Sequence, residues 1–217
     1  MKSTTFVVTG PPSSGKSTIT KLIGEYAKEK NISFESKKFS TPIAVGIEKS
    51  GYRLITKNDA NYYTKDDEVV SQRTLMQNYG NKLRESYGPQ VLAQMLTEEN
   101  KVAKQMKNGI YVFEGCRNIH EYEFIKNKCV SENVECVLVG VFASLENCFK
   151  RASSNKPAVF SDFQKQYELE MRENVEDDSI QVSILLGIAK AEGVYLENDS
   201  SFEELKQVLF EKLEEKF

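Results

Sequence analysis

The 217-residue chain has no long apolar run and no Cys-x-x-Cys pair among its four cysteines. No apolar run approaches the roughly 20 residues that a membrane-spanning helix needs, so we expect a soluble protein with no membrane partner. No charged-then-apolar leader precedes Phe6. Together with the cysteine spacing, this predicts reduced thiols in a cytoplasmic protein.

The chain also has little net charge, -3 at pH 7. The net charge of a nearly neutral chain therefore gives no evidence for or against a nucleic-acid partner. No basic stripe with interleaved aromatic residues is evident. Nucleic-acid binding would therefore have to come from a local basic cluster, and it is not favoured. The single histidine, His120, is interpreted as a hydrogen-bonding surface residue and not as a proton carrier.

A complete phosphate-binding loop pattern lies near the amino terminus, running from Gly10 to Ser17 after the apolar run Phe6–Val8. Two glycines let the chain turn tightly, so that backbone N–H groups and the amino end of the next helix point at an anion. Lys16 is predicted to bind the β and γ phosphates and Ser17 to bind Mg²⁺. The predicted nucleotide-binding residues are Gly10, Ser13, Ser14, Gly15, Lys16, Ser17 and Thr18.

Predicted strands and helices alternate along the chain. Apolar strands are expected at Phe6–Val8, Ile110–Phe113, Val137–Phe142 and Val194–Leu196, with a shorter strand at Ile32–Ser36. Helices are expected at Thr18–Glu29, Pro42–Ser50, Val69–Tyr79, Pro89–Met106, Glu121–Asn127, Leu145–Lys150, Phe160–Ala191 and from Ser201 to Phe217. This alternation predicts a single three-layer α/β domain with a parallel central sheet. Ligands in such folds bind at the carboxyl ends of the strands.

The stretch Arg53–Asp67 is the least regular part of the sequence. It contains Asn58, Asp59 and Asp66, all of which are turn-prone. We interpret it either as a loop or mobile flap over a pocket or as an ordinary solvated connection.

Glu114 follows the central strand Ile110–Phe113. A carboxylate at the end of such a strand faces the ligand crevice, where it can hold the water shell of a metal or orient an acceptor hydroxyl. Its alternative role is a structural cap. Gly115 then permits a tight turn, after which Arg117 can bind a phosphate through two parallel N–H bonds. The alternative for Arg117 is an ion pair with Glu121 or Glu123.

This combination of a phosphate loop and an acid-Gly-x-Arg turn resembles the nucleoside monophosphate kinase group, which includes adenylate kinase, dephospho-CoA kinase and viral deoxynucleotide monophosphate kinases. The segment Leu75–Glu85, with its Gln, Gly and Arg, is similar to a part of their acceptor site. Arg117–Ile125 resembles the turn and helix after their acidic strand. Val194–Ser200 resembles their last strand and its Asn-containing turn, which lies near the nucleotide base.

The resemblance implies a P-loop kinase fold spanning residues 1–217, with an acceptor-binding insertion at about 37–106 and a lid at about 151–173. It implies transfer of a phosphoryl group from ATP with Mg²⁺ to a small, already phosphorylated acceptor. Arg84 and Arg117 would bind the acceptor phosphate, and Arg151 would be a lid arginine. The alternatives are a solvated helix pair of Arg84 with Glu85 and a surface helix position for Arg151.

The chain departs from the family pattern at three places. Glu114 stands where most relatives have Asp, and the lid contains few basic residues, with Lys156, Lys165 and Arg172 after Arg151. Lys37-Lys38 replaces an Asp or Arg after the second strand. This pair either contacts an acceptor phosphate or is simply exposed to solvent at the start of a helix.

The favoured acceptor is a (deoxy)nucleoside monophosphate. Dephospho-CoA, or a hydroxyl on a modified base in DNA, is the alternative acceptor. A nucleotide-gated switch is the alternative that is not a kinase.

Overall fold

The computed structural model describes residues 3–57, 60–98, 109–155, 159–171 and 181–216. The strands in these ranges are β1 (Thr4–Thr9), β2 (Phe34–Lys38), β3 (Arg53–Lys57), β4 (Ala60–Lys65), β5 (Glu68–Ser71), β6 (Ile110–Cys116), β7 (Glu135–Phe142) and β8 (Val194–Glu197). The helices are α1 (Lys16–Glu29), α2 (Ser40–Lys49), α3 (Gln72–Tyr87), α4 (Val91–Thr97), α5 (Ile119–Ser131), α6 (Leu145–Asn155), α7 (Phe160–Glu170), α8 (Val182–Glu192) and α9 (Phe202–Glu214).

Five of the strands form a parallel central sheet in the order β2-β6-β1-β7-β8. β1 lies at its centre, where Val7 pairs with Phe113 of β6 and Leu138 of β7. Every residue of β1 is buried, as expected for a strand covered on both faces. The predicted parallel sheet is therefore confirmed.

Helices cover both faces of this sheet because successive side chains of β1 point to opposite sides. Phe6 and Val8 pack in one apolar cluster with residues of α1 and α9. Val7 packs in a second cluster with residues of α4, α5 and α8. The predicted three-layer arrangement of helix, sheet and helix is confirmed.

A separate three-stranded antiparallel sheet, β3-β4-β5, occupies the stretch from Arg53 onward. The prediction of an irregular loop over Arg53–Asp67 is therefore wrong, because strands cover Arg53–Lys57 and Ala60–Lys65. Residues of high β-propensity pair across the strands, with Ile55 opposite Tyr62 and Tyr63 opposite Val70, and the side chain of Tyr63 is buried. Turn-prone Asp66 lies in the connection between β4 and β5, with a left-handed φ of 52°.

The start of α3 also corrects a predicted boundary. A helix was expected from Val69, but Val69 lies in β5 and α3 begins at Gln72. Ser71 caps the helix, because its hydroxyl accepts a hydrogen bond from the backbone N–H of Thr74 at 3.1 Å. The strand has only four residues, two exposed and two half-buried, which is too short for its periodicity to distinguish it from the first turn of a helix.

Two predicted helices differ from the structure in their extent. The break around Gly88 is confirmed, because α3 ends at Tyr87 and α4 begins at Val91. The rest of the predicted helix to Met106 lies outside the described residues. The helical region predicted over Phe160–Ala191 contains α7 and α8, and residues 172–180 between them lie outside the described ranges.

Two parallel strands, β2 and β6, extend further than predicted, and the added residues belong to the candidate site. β2 was expected to end at Ser36 but runs to Lys38, which pairs in register with Glu114. β6 runs to Cys116, so Glu114 lies inside the strand and not beyond it. Strand pairing continues through these polar residues because neighbouring strands satisfy their backbone groups.

The described part of the chain between β2 and β6 contains α2, the three-stranded sheet, α3 and α4. An acceptor-binding insertion in this part of the chain stays a prediction. The predicted lid begins inside α6, because this helix continues to Asn155 and does not end at Lys150. α7 follows and packs on α6 through a small apolar cluster that includes Cys148 and Phe163. Of the basic lid residues, Lys156 and Arg172 lie outside the described part of the chain.

None of the helices in the described ranges is long and apolar enough to cross a membrane. All four cysteines are free, and Cys116, Cys129 and Cys148 are buried.

Candidate active site

The phosphate loop lies between β1 and α1, at the carboxyl edge of the central sheet. Gly10 and Gly15 have left-handed φ values of 150° and 103°. A Cβ atom on Gly10 would lie 2.1 Å from the carbonyl oxygen of Val141, and one on Gly15 would lie 2.2 Å from Nδ2 of Asn198. Both positions therefore require glycine, for backbone conformation and for space.

Lys16 is the first residue of α1, and its ammonium group lies inside the loop. It donates hydrogen bonds to the carbonyl oxygens of Gly10 at 2.8 Å and Pro11 at 2.7 Å. Burial of the ammonium, and then the neighbouring Arg117 guanidinium, lower the pKa of Lys16 to about 8, against the opposing effect of Glu170 and Glu114. A bound phosphate would supply the negative charge that this ammonium lacks.

This low pKa predicts a pH dependence of nucleotide binding. Phosphates prefer the charged form of Lys16, so affinity should fall as pH rises through the pKa. The Kd for ADP is expected to increase about tenfold between about pH 7 and about pH 9, as measured by calorimetry. The Lys16→Ala variant, which lacks the ammonium, should show no such loss, and a flat wild-type profile would contradict the assignment.

Ser17 and Glu114 are brought together from distant parts of the chain. The Ser17 hydroxyl donates to Oε1 of Glu114 at 2.5 Å, and Nζ of Lys38 lies 3.5 Å from the same oxygen. Glu114 is buried, with 7% of its surface exposed. A hydroxyl and a carboxylate oxygen are the kind of ligands that Mg²⁺ takes, with water and phosphate oxygens completing its shell. The predicted metal pair thus has a suitable geometry.

A cavity of about 620 Å³ opens beside this pair. Lys16, Lys38 and Glu114 line it, together with residues of α2 and α3. Its volume falls within the roughly 300–1,000 Å³ of ordinary small-molecule sites. Its lining also includes apolar and amide side chains, namely Phe39, Ile43, Met76, Leu92, Gln72, Gln77 and Asn81.

The two predicted acceptor arginines both line this cavity. Arg84 does not pair with Glu85 in solvent; its Nε and Nη2 donate to Oε1 of buried Glu121 at 3.1 and 2.8 Å. The Arg117 guanidinium lies 3.4 Å from Glu170, and this ion pair is neither of the two that the sequence suggested.

Arg151 lies on the other side of the phosphate loop and does not line the cavity. Its guanidinium donates to the carbonyl oxygens of Ser14 and Asn198. The Asn198 side chain also donates to the carbonyl of Ser14 at 2.7 Å. Arg151 and the turn after β8 thus brace the loop where a donor nucleotide would bind.

Reasoning from sequence missed two residues of this site, Arg73 and Glu170, and it gave Glu121 only as a possible partner of Arg117, whereas Glu121 pairs with Arg84. Arg73 could have been found, because it lies four positions before Gln77 and so on the same face of α3. Glu170 gave no signal, since both arginines that it contacts are far away in the chain. Lys38, for which two roles were open, lies in the cavity wall, and His120 lies on the surface with Nδ1 3.7 Å from Glu123.

A phosphate loop after the central strand of a parallel sheet, with helices on both faces, defines the P-loop kinase fold. Solved structures agree. A Thermus thermophilus protein, TT1252, has a TM-score of 0.58 at 15% identity, with 100% of both chains covered. The Mycobacterium tuberculosis APS kinase CysC, in complex with AMPPNP and APS, has a TM-score of 0.52 at 16% identity, with 98% of both chains covered.

At this identity the likeness concerns the fold alone. No family model matches the chain, and no curated protein matches it. The resemblance to nucleoside monophosphate kinases is thus confirmed at the level of the P-loop kinase fold.

Proposed function

We propose that the protein is a phosphotransferase that moves the γ-phosphoryl group of Mg²⁺·ATP to a (deoxy)nucleoside monophosphate. The observation that carries this proposal is the cavity beside the phosphate loop. Lys16 and Glu114 line it, and so do Arg73, Arg84 and Arg117. A donor site and a second anion site therefore share one opening.

The donor side supports phosphoryl transfer by position and charge. Backbone N–H groups of Ser13, Ser14 and Gly15 would bind the phosphates, with Thr18 in the first turn of α1. Lys16 would bind the β and γ phosphates, and Ser17 with Glu114 would hold Mg²⁺, whose role is to neutralise developing charge. Arg151, beside the loop, would stabilise the donor side.

The acceptor side supports a phosphorylated substrate. Three guanidinium groups and Lys38 line the cavity, and this positive charge suits the dianionic phosphate of a monophosphate. The wall also has apolar side chains and the amide groups of Gln72, Gln77 and Asn81. Such a wall suits a nucleobase, which offers two apolar faces and a polar edge.

A nucleotide-gated switch needs no second phosphate site, so the arginines of the cavity argue against that alternative. Dephospho-CoA and a modified base in DNA are acceptors that the same experiment distinguishes.

The test is release of ADP from Mg²⁺·ATP in the presence of a panel of acceptors, with Lys16→Ala as the blank. The panel contains ribo- and deoxynucleoside monophosphates, dephospho-CoA, and plain and hydroxymethylated DNA. We expect turnover with at least one nucleoside monophosphate and none with DNA. Turnover only with dephospho-CoA or DNA would show that the proposed acceptor is wrong. No turnover with any member of the panel would overturn the proposed phosphotransferase activity.

A further inference from the structure

Glu170, the last residue of α7, has a fully buried carboxylate in contact with two arginines. Its Oε1 lies 3.6 Å from Nη2 of Arg73 and 3.4 Å from Nη2 of Arg117. The same oxygen accepts a hydrogen bond from the side-chain amide of Gln166 at 2.9 Å. One carboxylate therefore joins the start of α3, the turn after β6 and the end of α7.

The arginines lie between Glu170 and the cavity. Their side chains are 49% and 32% exposed, whereas that of Glu170 is 0% exposed. Arg73 and Arg117 line the cavity and Glu170 does not. Because a guanidinium group has five N–H donors, contact with a carboxylate on one side leaves donors for a ligand on the other.

A contribution to the stability of the fold does not explain why a carboxylate is buried at position 170. Its Oε2 is buried and has no hydrogen-bond partner within the described residues, and a buried ion pair often stabilises a protein less than an apolar side chain would. Without Glu170, however, Arg73 and Arg117 would lie close together with no carboxylate between them, since both contact the same oxygen of Glu170. Burial lowers the pKa of Arg73, Glu170 raises it, and Arg117 lowers it.

We propose that Arg73 is a third cation for the acceptor phosphate and that Glu170 is a positioning residue that holds Arg73 and Arg117 toward it. This inference rests on the proposed function. Arg84 is held in the same way, because its guanidinium donates a hydrogen bond to the buried carboxylate of Glu121. Two internal carboxylates would thus preset three guanidinium groups around one phosphate, so that little reorganisation is needed when the acceptor binds.

The Glu170→Gln variant tests whether Glu170 positions the arginines. A positioning role and a purely neutralising role predict opposite changes in the acceptor KM. Glutamine keeps the shape but removes the negative charge. If Glu170 merely neutralised the site or occupied the place of the phosphate, its removal would lower the acceptor KM. If it positions the arginines, the acceptor KM should rise at least about tenfold, with the KM for ATP changed far less.

Glu168→Gln is the matched control. Glu168 accepts a hydrogen bond from Gln164 one helical turn earlier, as Glu170 does from Gln166, but it is exposed. Its variant should keep wild-type kinetics. An unchanged or lower acceptor KM in Glu170→Gln would overturn the proposal.

Arg73→Ala provides a second and independent variant, and it applies even if Glu170→Gln fails to fold. It should raise the acceptor KM to a similar degree, and a wild-type KM would overturn the role of Arg73. If Glu170 acts through Arg73, the double variant should lose less than the product of the two single losses.

A binding measurement separates this inference from the proposed function. With ADP in the phosphate loop, inorganic phosphate should raise the melting temperature of the wild type and of Glu168→Gln, and clearly less that of Glu170→Gln and Arg73→Ala. This result would stand even if no monophosphate in the panel were phosphorylated. Equal stabilisation of all four proteins, or of none, would overturn the inference.

Discussion

Replacing Lys16 with alanine is expected to lower the rate of phosphoryl transfer by at least about a thousandfold, as loss of a charge that stabilises the transition state typically does. In the free protein this ammonium is held by two loop carbonyls, those of Gly10 and Pro11. It is therefore already placed where the β and γ phosphates would bind, and no other lysine lines the loop end of the cavity except Lys38, among the residues that the structure describes.

The measurement is kcat with the best acceptor of the panel, together with far-ultraviolet circular dichroism and a melting curve. Lys21→Ala is the matched control, because Lys21 lies on the same helix with an exposed side chain. We expect both variants to remain folded and only Lys16→Ala to lose turnover. Activity of Lys16→Ala within tenfold of the wild type would show that the loop is not the donor site.

Much of the central fold could be predicted because its signals are local. The strands at Val7, Phe113 and Leu138 are continuous apolar runs, which only a strand buried on both faces requires at that length. The three-stranded sheet was missed because its strands are short and half exposed, and because Asp66 and its neighbours dominated the pattern as turn signals. Asp66 lies where the chain reverses direction between β4 and β5. The turn was therefore predicted correctly, but the strands beside it were missed.

The residues of the candidate site also fall into two groups, those that local sequence predicts and those that it does not. Lys16 and Ser17 follow from a contiguous motif, and Glu114 follows from its place at the end of a buried strand. Glu121 and Glu170 are different, because each acts on an arginine that reaches it only through the packing of helices. Helical periodicity shows which face a carboxylate occupies but not what lies opposite, so such pairs require the tertiary structure.

The second large effect is expected at Glu114. Glu114→Gln keeps the length of the side chain and can still accept the Ser17 hydroxyl, but it removes the charge that would hold Mg²⁺ or its water shell. We expect kcat to fall about a hundredfold or more, and the Mg²⁺ concentration for half-maximal rate to rise. Glu135→Gln, at the opposite end of the same sheet, is the matched control and should behave as the wild type.

Glu114→Asp then tests the reach of the side chain. The carboxylate of Glu114 contacts Ser17 and lies near Lys38 in the free protein, and aspartate is shorter by one methylene group. If the carboxylate acts through the metal's water shell, aspartate should restore much of the rate lost in Glu114→Gln, because water can fill the gap. If Glu114→Asp is as slow as Glu114→Gln, direct contact is required, and a full rate for Glu114→Gln would remove Glu114 from the metal site.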